Sequence, residues 1–128
     1  MSTRKGDGSR LSHHKGIVGE GRFICWAASK GWHIYKGFDG HAPVDFIADN
    51  GTALIRVEVK RVQSVQEDER GRRYVTTTRM NKCFDYVFLS TPTGDYWIPA
   101  ADCGQQTISI RVDGPSSRDK YAAFKVTG

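Results

Sequence analysis

Residues 43–62 read PVDFIADNGTALIRVEVKRV, and the order of residue types in this stretch decides the fold. Two β-rich runs, Val44 to Ala48 and Leu54 to Val62, flank Asp49-Asn50-Gly51-Thr52. Asn-Gly between such runs marks a hairpin, because both residues tolerate the positive φ of a tight turn. With Asn50 and Gly51 as the turn, opposing residue numbers sum to 101, which sets Asp45 across from Arg56 and diagonal to Glu58. Side chains alternate faces along a strand, so Arg56, Glu58, Lys60 and Val62 are expected on one face with Asp45, and Ile55, Val57 and Val59 on the other.

The polar face is either a solvated lattice of cross-strand ion pairs or a site for phosphodiester chemistry. Asp45 and Glu58 are hard oxygen donors suited to Mg²⁺, which keeps several waters and takes its remaining ligands from substrate phosphate. Such an ion lowers the pKa of water and offsets charge in the transition state, while Lys60, two residues beyond Glu58, is placed to orient the water or to stabilise developing negative charge.

Upstream, the spacing of apolar residues predicts a helix from Lys15 to Lys30, stopped by Gly31. Gly19 and Gly21 weaken it by roughly 1 kcal/mol each relative to Ala. Ile17, Glu20, Ile24 and Ala27 fall on one face of that helix, which sets a carboxylate in an apolar stripe where it needs a partner: a shared metal, Lys60, water, or solvent at a frayed first turn. Residues 1–14 are polar and basic with nothing to bury, so they are expected to form a flexible arm, leaving 15–128 as one domain. Residues 1–36 hold seven Lys or Arg against Asp7 and Glu20, while the remainder balances twelve of each sign, so the whole excess of +5 lies at the N-terminal end. A polyanionic partner or a merely solubilising tail accounts for such a pole.

Downstream, 63–73 is charged, and strands are expected at 74–78, 84–89, 96–99 and 107–112, with Thr93-Gly94-Asp95 as a turn. Residues 120–126 suit a short helix or a strand equally. Cys25, Cys83 and Cys103 are odd in number and far apart, which fits reduced buried thiols better than disulfides or a zinc cage, and the four His lack metal-ligand spacing. Trp26, Trp32, Tyr35 and Trp97 suit core or interface positions better than base stacking. No apolar run is long enough for a membrane span or a secretory signal, from which a cytoplasmic protein is expected.

A helix carrying Glu20, then Pro43-Val44-Asp45, then Glu58-Val59-Lys60, resembles the PD-(D/E)XK nuclease superfamily. Phe84-Asp85-Tyr86-Val87-Phe88 followed by Tyr96-Trp97-Ile98-Pro99 is similar to the strands after the site in its small branch of intron-encoded homing endonucleases and phage relatives, and Glu58-Val59-Lys60-Arg61 also resembles archaeal-type Holliday-junction resolvases. The likeness spans residues 16 to 112, with one residue between Pro43 and Asp45 where the superfamily has an adjacent pair. It implies an α+β (α/β) restriction-endonuclease-like core, a mixed sheet flanked by helices. Within it Asp45 and Glu58 bind Mg²⁺ (or Mn²⁺), the Val59 carbonyl adds a ligand, Lys60 assists the nucleophile and Glu20 is an auxiliary acid that reaches the metal through water. The activity implied is DNA cleavage of homing or phage type, with junction resolution next. A non-catalytic DNA-binding module of the same fold and an RNA-directed nuclease are the rival classes. Arg4, Lys5, Arg10, Lys15, Arg61, Arg72, Arg73 and Arg79 are the candidate DNA contacts, against the alternative of a solvated loop neutralised by Glu67, Asp68 and Glu69. Cutting both strands with one site per chain implies a homodimer or homotetramer.

Overall fold

A computed structural model describes the backbone of residues 4–37, 42–77, 80, 83–103, 107–112 and 120–126, with side chains from His14 onward. The expected hairpin is present. β2 (Phe46–Asp49) pairs antiparallel with β3 (Leu54–Arg61), but Phe46 faces Val57 and Asp49 faces Leu54, so opposing numbers sum to 103 rather than 101. Asn50 causes the change. Its Oδ1 accepts from the Thr52 and Ala53 N–H groups, each at 2.9 Å, and its own N–H bonds the Ala53 carbonyl at 3.2 Å, closing a four-residue loop. Gly51 supplies the positive φ of 94° within it. A shift of two residues preserves the faces, since the side-chain period is two.

β1 (His33–Lys36) pairs antiparallel with β2, and β6 (Tyr86–Thr91) lies parallel to β3 and antiparallel to β7 (Gly94–Pro99), giving a mixed five-stranded sheet in the order β1-β2-β3-β6-β7. A second, antiparallel sheet is built from β4 (Gln66–Glu67) and β5 (Arg73–Thr76), which lie between β3 and β6 in the chain, and from β8 (Ser109–Arg111), which follows β7. β4 falls in the charged stretch where no strand was expected, and β6 starts and ends two residues later than the sequence pattern suggested. Residues 120–126, undecided from sequence, contain a short 3-10 turn, Ala122–Phe124, and a single bridge from Lys125 to Tyr96.

The two faces of the five-stranded sheet carry separate cores. On one, Phe46, Ala48, Ile55, Val57 and Phe88 pack with Phe23 and Ala27 of α1 (Arg4–Ser29). On the other, Val87, Leu89, Tyr96 and Ile98 pack with Val75 and Ile110 of the second sheet. The order of layers is thus helix, large sheet, small sheet, and α1 is the one α-helix among the described residues.

α1 departs from expectation twice. It begins at Arg4 rather than Lys15, and its buried stripe runs through Gly19, Phe23 and Ala27, leaving Ile17 and Ile24 exposed. Gly19 turns the helix this way. A Cβ there would stand 3.1 Å from the Cβ of Arg61 and 3.4 Å from Val59 Cγ1, so its missing side chain is what lets α1 lie on β3. Phe23, fully buried, then fills the space among Trp26, Phe46, Phe88 and Trp97 with ring centroids 5.2–6.3 Å away. Trp26, Trp32 and Trp97 are half-buried in this cluster as expected, whereas Tyr35 is exposed. None of the three cysteines is in a disulfide, yet only Cys103 is buried, and Cys25 is exposed.

Candidate active site

Glu58 and Lys60 project from β3 on the side away from α1, because their parallel partners Val87 and Leu89 belong to the core beneath the small sheet. Alternation puts both side chains over that layer, and Lys60 Nζ stands 3.8 Å from Glu58 Oε2. Both are largely enclosed, with 28% of the Lys60 side chain and 19% of the Glu58 side chain exposed.

Asp45 reaches them by a bend rather than by strict alternation. It precedes β2, and its N–H bonds the Val57 carbonyl at 3.1 Å although Val57 is already the partner of Phe46. The chain therefore leaves the ladder at Asp45. Its carboxylate closes the gap: Oδ2 accepts the Val59 N–H at 2.8 Å, taking the place of a backbone acceptor. An extended residue directs its N–H and C=O to the same side, so the Val59 carbonyl faces Asp45 as well.

The two carboxyls also interact through their charges. Burial pushes Glu58 up to about 7, the negative charge of Asp45 adds to the rise, and Lys60 offsets only part of it. Two carboxylates and a carbonyl match the donors Mg²⁺ takes from a protein, the rest coming from water and phosphate. These residues fit such an ion, although among the described residues no three His, Cys, Asp or Glu converge on one point.

Glu20 is the missing third acid. It accepts from Lys36 Nζ at 2.8 Å, and that ammonium lies 4.9 Å from the centre of the Phe46 ring, on the helix side of the sheet. The apolar stripe in which Glu20 was expected runs instead through Gly19, so Glu20 stands at the helix flank with a partner of its own. Arg56 is also engaged elsewhere, in a bidentate pair with Asp85 at 2.9 and 3.2 Å, while the Asp85 carboxylate takes the Arg56 N–H at 2.8 Å. This clamp ties β3 to the start of β6. Its only signal in the sequence was one acid between Phe84 and Tyr86.

The candidate DNA contacts divide. Arg61 turns into the protein, where Nη1 donates to Ser90 Oγ at 2.6 Å and Nε is buried without a hydrogen-bond partner. Arg72 Nε binds Asp68 at 2.7 Å, whereas Arg73 is exposed and Lys15 half-exposed. The side chains of Arg4, Lys5 and Arg10, and the whole of Arg79, lie outside the described residues. No described helix is long and apolar enough to cross a membrane.

No protein-family model and no curated protein matches this sequence. The fold does have a solved counterpart: the bacterial homing endonuclease I-Ssp6803I superimposes with a TM-score of 0.65 over 87% of this chain and 83% of that one, at 17% identity. The α+β arrangement, with its mixed central sheet and one α-helix among the described residues, therefore resembles the fold of that protein.

Proposed function

We propose that this chain is a Mg²⁺-dependent endodeoxyribonuclease of the PD-(D/E)XK type, cutting DNA in the sequence-specific manner of a homing endonuclease. The observation that carries this reading is the meeting of Asp45, Glu58 and Lys60 at the open end of the β2–β3 hairpin, away from its turn. The shared fold with I-Ssp6803I supports it.

When bound, a divalent ion supplies positive charge against the scissile phosphate and acidifies water beside it. The protein's part is positional. The Val59 N–H fixes the Asp45 carboxylate, which together with the Val59 carbonyl would help to hold the ion. Glu58, close to Asp45, would be the second carboxylate holding the ion, whose charge would favour its ionised form. Lys60 orients the attacking water and neutralises charge that accumulates on the phosphate oxygens, a point contact suited to an ammonium. Mn²⁺ replaces Mg²⁺ in such an oxygen-donor site. DNA is held by the basic N-terminal end and by Arg73, and two protomers are needed to cut both strands.

Nicking of supercoiled plasmid in Mg²⁺ tests the site. Lys60→Ala and Asp45→Ala are expected to lose at least about a hundredfold in rate while binding DNA within a few-fold of the parent. Cutting retained by either variant refutes the assignment. DNA binding by the parent chain without metal-dependent turnover on linear, supercoiled or four-way-junction DNA makes it a binding module instead.

A further inference from the structure

The small sheet has an outer side that the proposed chemistry does not use. Val75 and Ile110 pair across β5 and β8 and are each 1% exposed, pinned into the core under the large sheet. Their neighbours in register, Tyr74 with Arg111 and Thr76 with Ser109, must then face outward, and Gln66, paired with Tyr74, joins them. We propose that this outward face reads base sequence in the DNA major groove through Gln66, Tyr74, Thr76, Ser109 and Arg111, an inference that rests on the nuclease reading above.

Chemistry singles out the occupant. The strand positions on this face offer an amide, three hydroxyls and a guanidinium, and no carboxylate, although the adjoining segment 67–69 is entirely acidic. Glu67 alternates to the opposite side, paired with Arg73. Amide, hydroxyl and guanidinium groups are the ones that match the donor and acceptor edges of bases in the major groove, and a face devoid of negative charge avoids repelling phosphates. Dimensions agree. β4 is only two residues long, so at the Thr76–Ser109 end the sheet narrows to the two-stranded ribbon that a groove about 12 Å wide accepts.

The ribbon is also rigid before any ligand arrives. Thr76 and Ser109 hydroxyls share a hydrogen bond of 2.7 Å, and the Thr77 N–H and hydroxyl hold the backbone of Ile108 at 3.0 Å each. At the β4–β5 turn, the Asp68 carboxylate binds the N–H groups of Arg70 and Arg72, at 2.9 Å each, and the Arg72 guanidinium. Side chains standing on such a frame keep a fixed spacing, which base discrimination requires and a merely solvated face does not.

The test selects full-length protein in EDTA against a pool of randomised linear duplex DNA and sequences the bound fraction. The parent chain is expected to enrich a motif. Gln66→Ala should flatten one position of it, and Gln66→Arg should turn the preference there from adenine to guanine by about fivefold to a hundredfold, the other positions being kept. A new preference cannot arise from misfolding, and far-UV circular dichroism checks each variant. The proposal is overturned if the parent enriches no motif, if both variants keep the parent motif, if they weaken all sequences equally as phosphate contacts would, or if double-stranded RNA, whose deep groove excludes such a ribbon, competes as well as DNA. Mg²⁺-dependent nicking is scored separately: a motif without nicking supports the reading face and sinks the nuclease, and nicking without a motif does the reverse.

Discussion

Glu58 shows how a single side chain registers the site's chemistry in the stability of the whole protein. Its carboxyl is raised from the ordinary 4.5 to about 7 in the folded chain, so the fold binds that proton more tightly than the unfolded chain does. The contribution is fully present below pH 4.5 and is lost as pH climbs through 7. Metal-free protein is therefore expected to lose stability between these limits. Glu58→Gln should flatten that part of the profile and melt above the parent at pH 8, and Mg²⁺ should raise the parent's melting temperature more at pH 8 than at pH 5; thermal melts in EDTA and in Mg²⁺ measure both. Asp68 and Asp85 act in the opposite sense. Hydrogen bonds from Arg72 and Arg70, and from Arg56, hold these carboxyls below their usual range, so what they contribute disappears only in acid. A melting temperature that stays level between pH 4.5 and 7 in metal-free parent protein would show that Glu58 is neither buried nor close to Asp45. In the sequence, the positions of Glu58 and Lys60 were legible because strand alternation is a local rule. The convergence of Asp45 was expected for a different reason from the one that produces it, since a bend at one backbone N–H leaves no pattern of residue types.

At the scale of the element, α1 carries the plainest lesson about what sequence patterns conceal. Its stripe was placed through Ile17 and Ile24 because apolar side chains define a moment, whereas the contact that orients the helix is made by Gly19, a residue with no side chain to register. The two glycines that both looked like weak points should therefore respond with opposite signs. Gly21 has nothing within 4 Å of a built Cβ, so Gly21→Ala is expected to stabilise by about 0.5–1 kcal/mol through helix propensity. At Gly19 the same methyl meets the Cβ of Arg61, whose guanidinium is tied to Ser90, so neither the strand nor the side chain yields readily. Overpacking of this kind costs about 1–3 kcal/mol, which outweighs the propensity gain. Urea denaturation of the two variants checks the pair, and a stabilised Gly19→Ala would mean that α1 does not lie on β3 as described. The hairpin, by contrast, was legible as an element but not in its register, because Asn50 spends its side-chain oxygen on a loop of four residues rather than two. β4 was invisible for a related reason: two polar residues carry no periodicity, and only pairing with Arg73 and Tyr74 makes them a strand.

The molecule as a whole is polar in its distribution of charge, and α1 gives that polarity a shape. The helix has 26 residues and is therefore about 39 Å long. The contacts that seat the helix on the sheet lie in its C-terminal half, at Gly19, Phe23 and Ala27. Arg4, Lys5 and Arg10 belong to its N-terminal half by sequence, in the stretch that holds the chain's entire excess of positive charge. If this end binds the DNA backbone, each phosphate it neutralises releases condensed counterions and adds roughly 0.9 to the slope of log affinity against log salt. Replacing Arg4, Lys5 and Arg10 together by Gln should then weaken binding to every sequence alike and reduce the slope by up to about 2.7, without changing which sequences are preferred. Fluorescence anisotropy of a labelled linear duplex across a series of salt concentrations measures it. An unchanged slope would mean that the basic end serves solubility alone, and that the phosphates are gripped nearer the β2–β3 hairpin, where Lys60 stands.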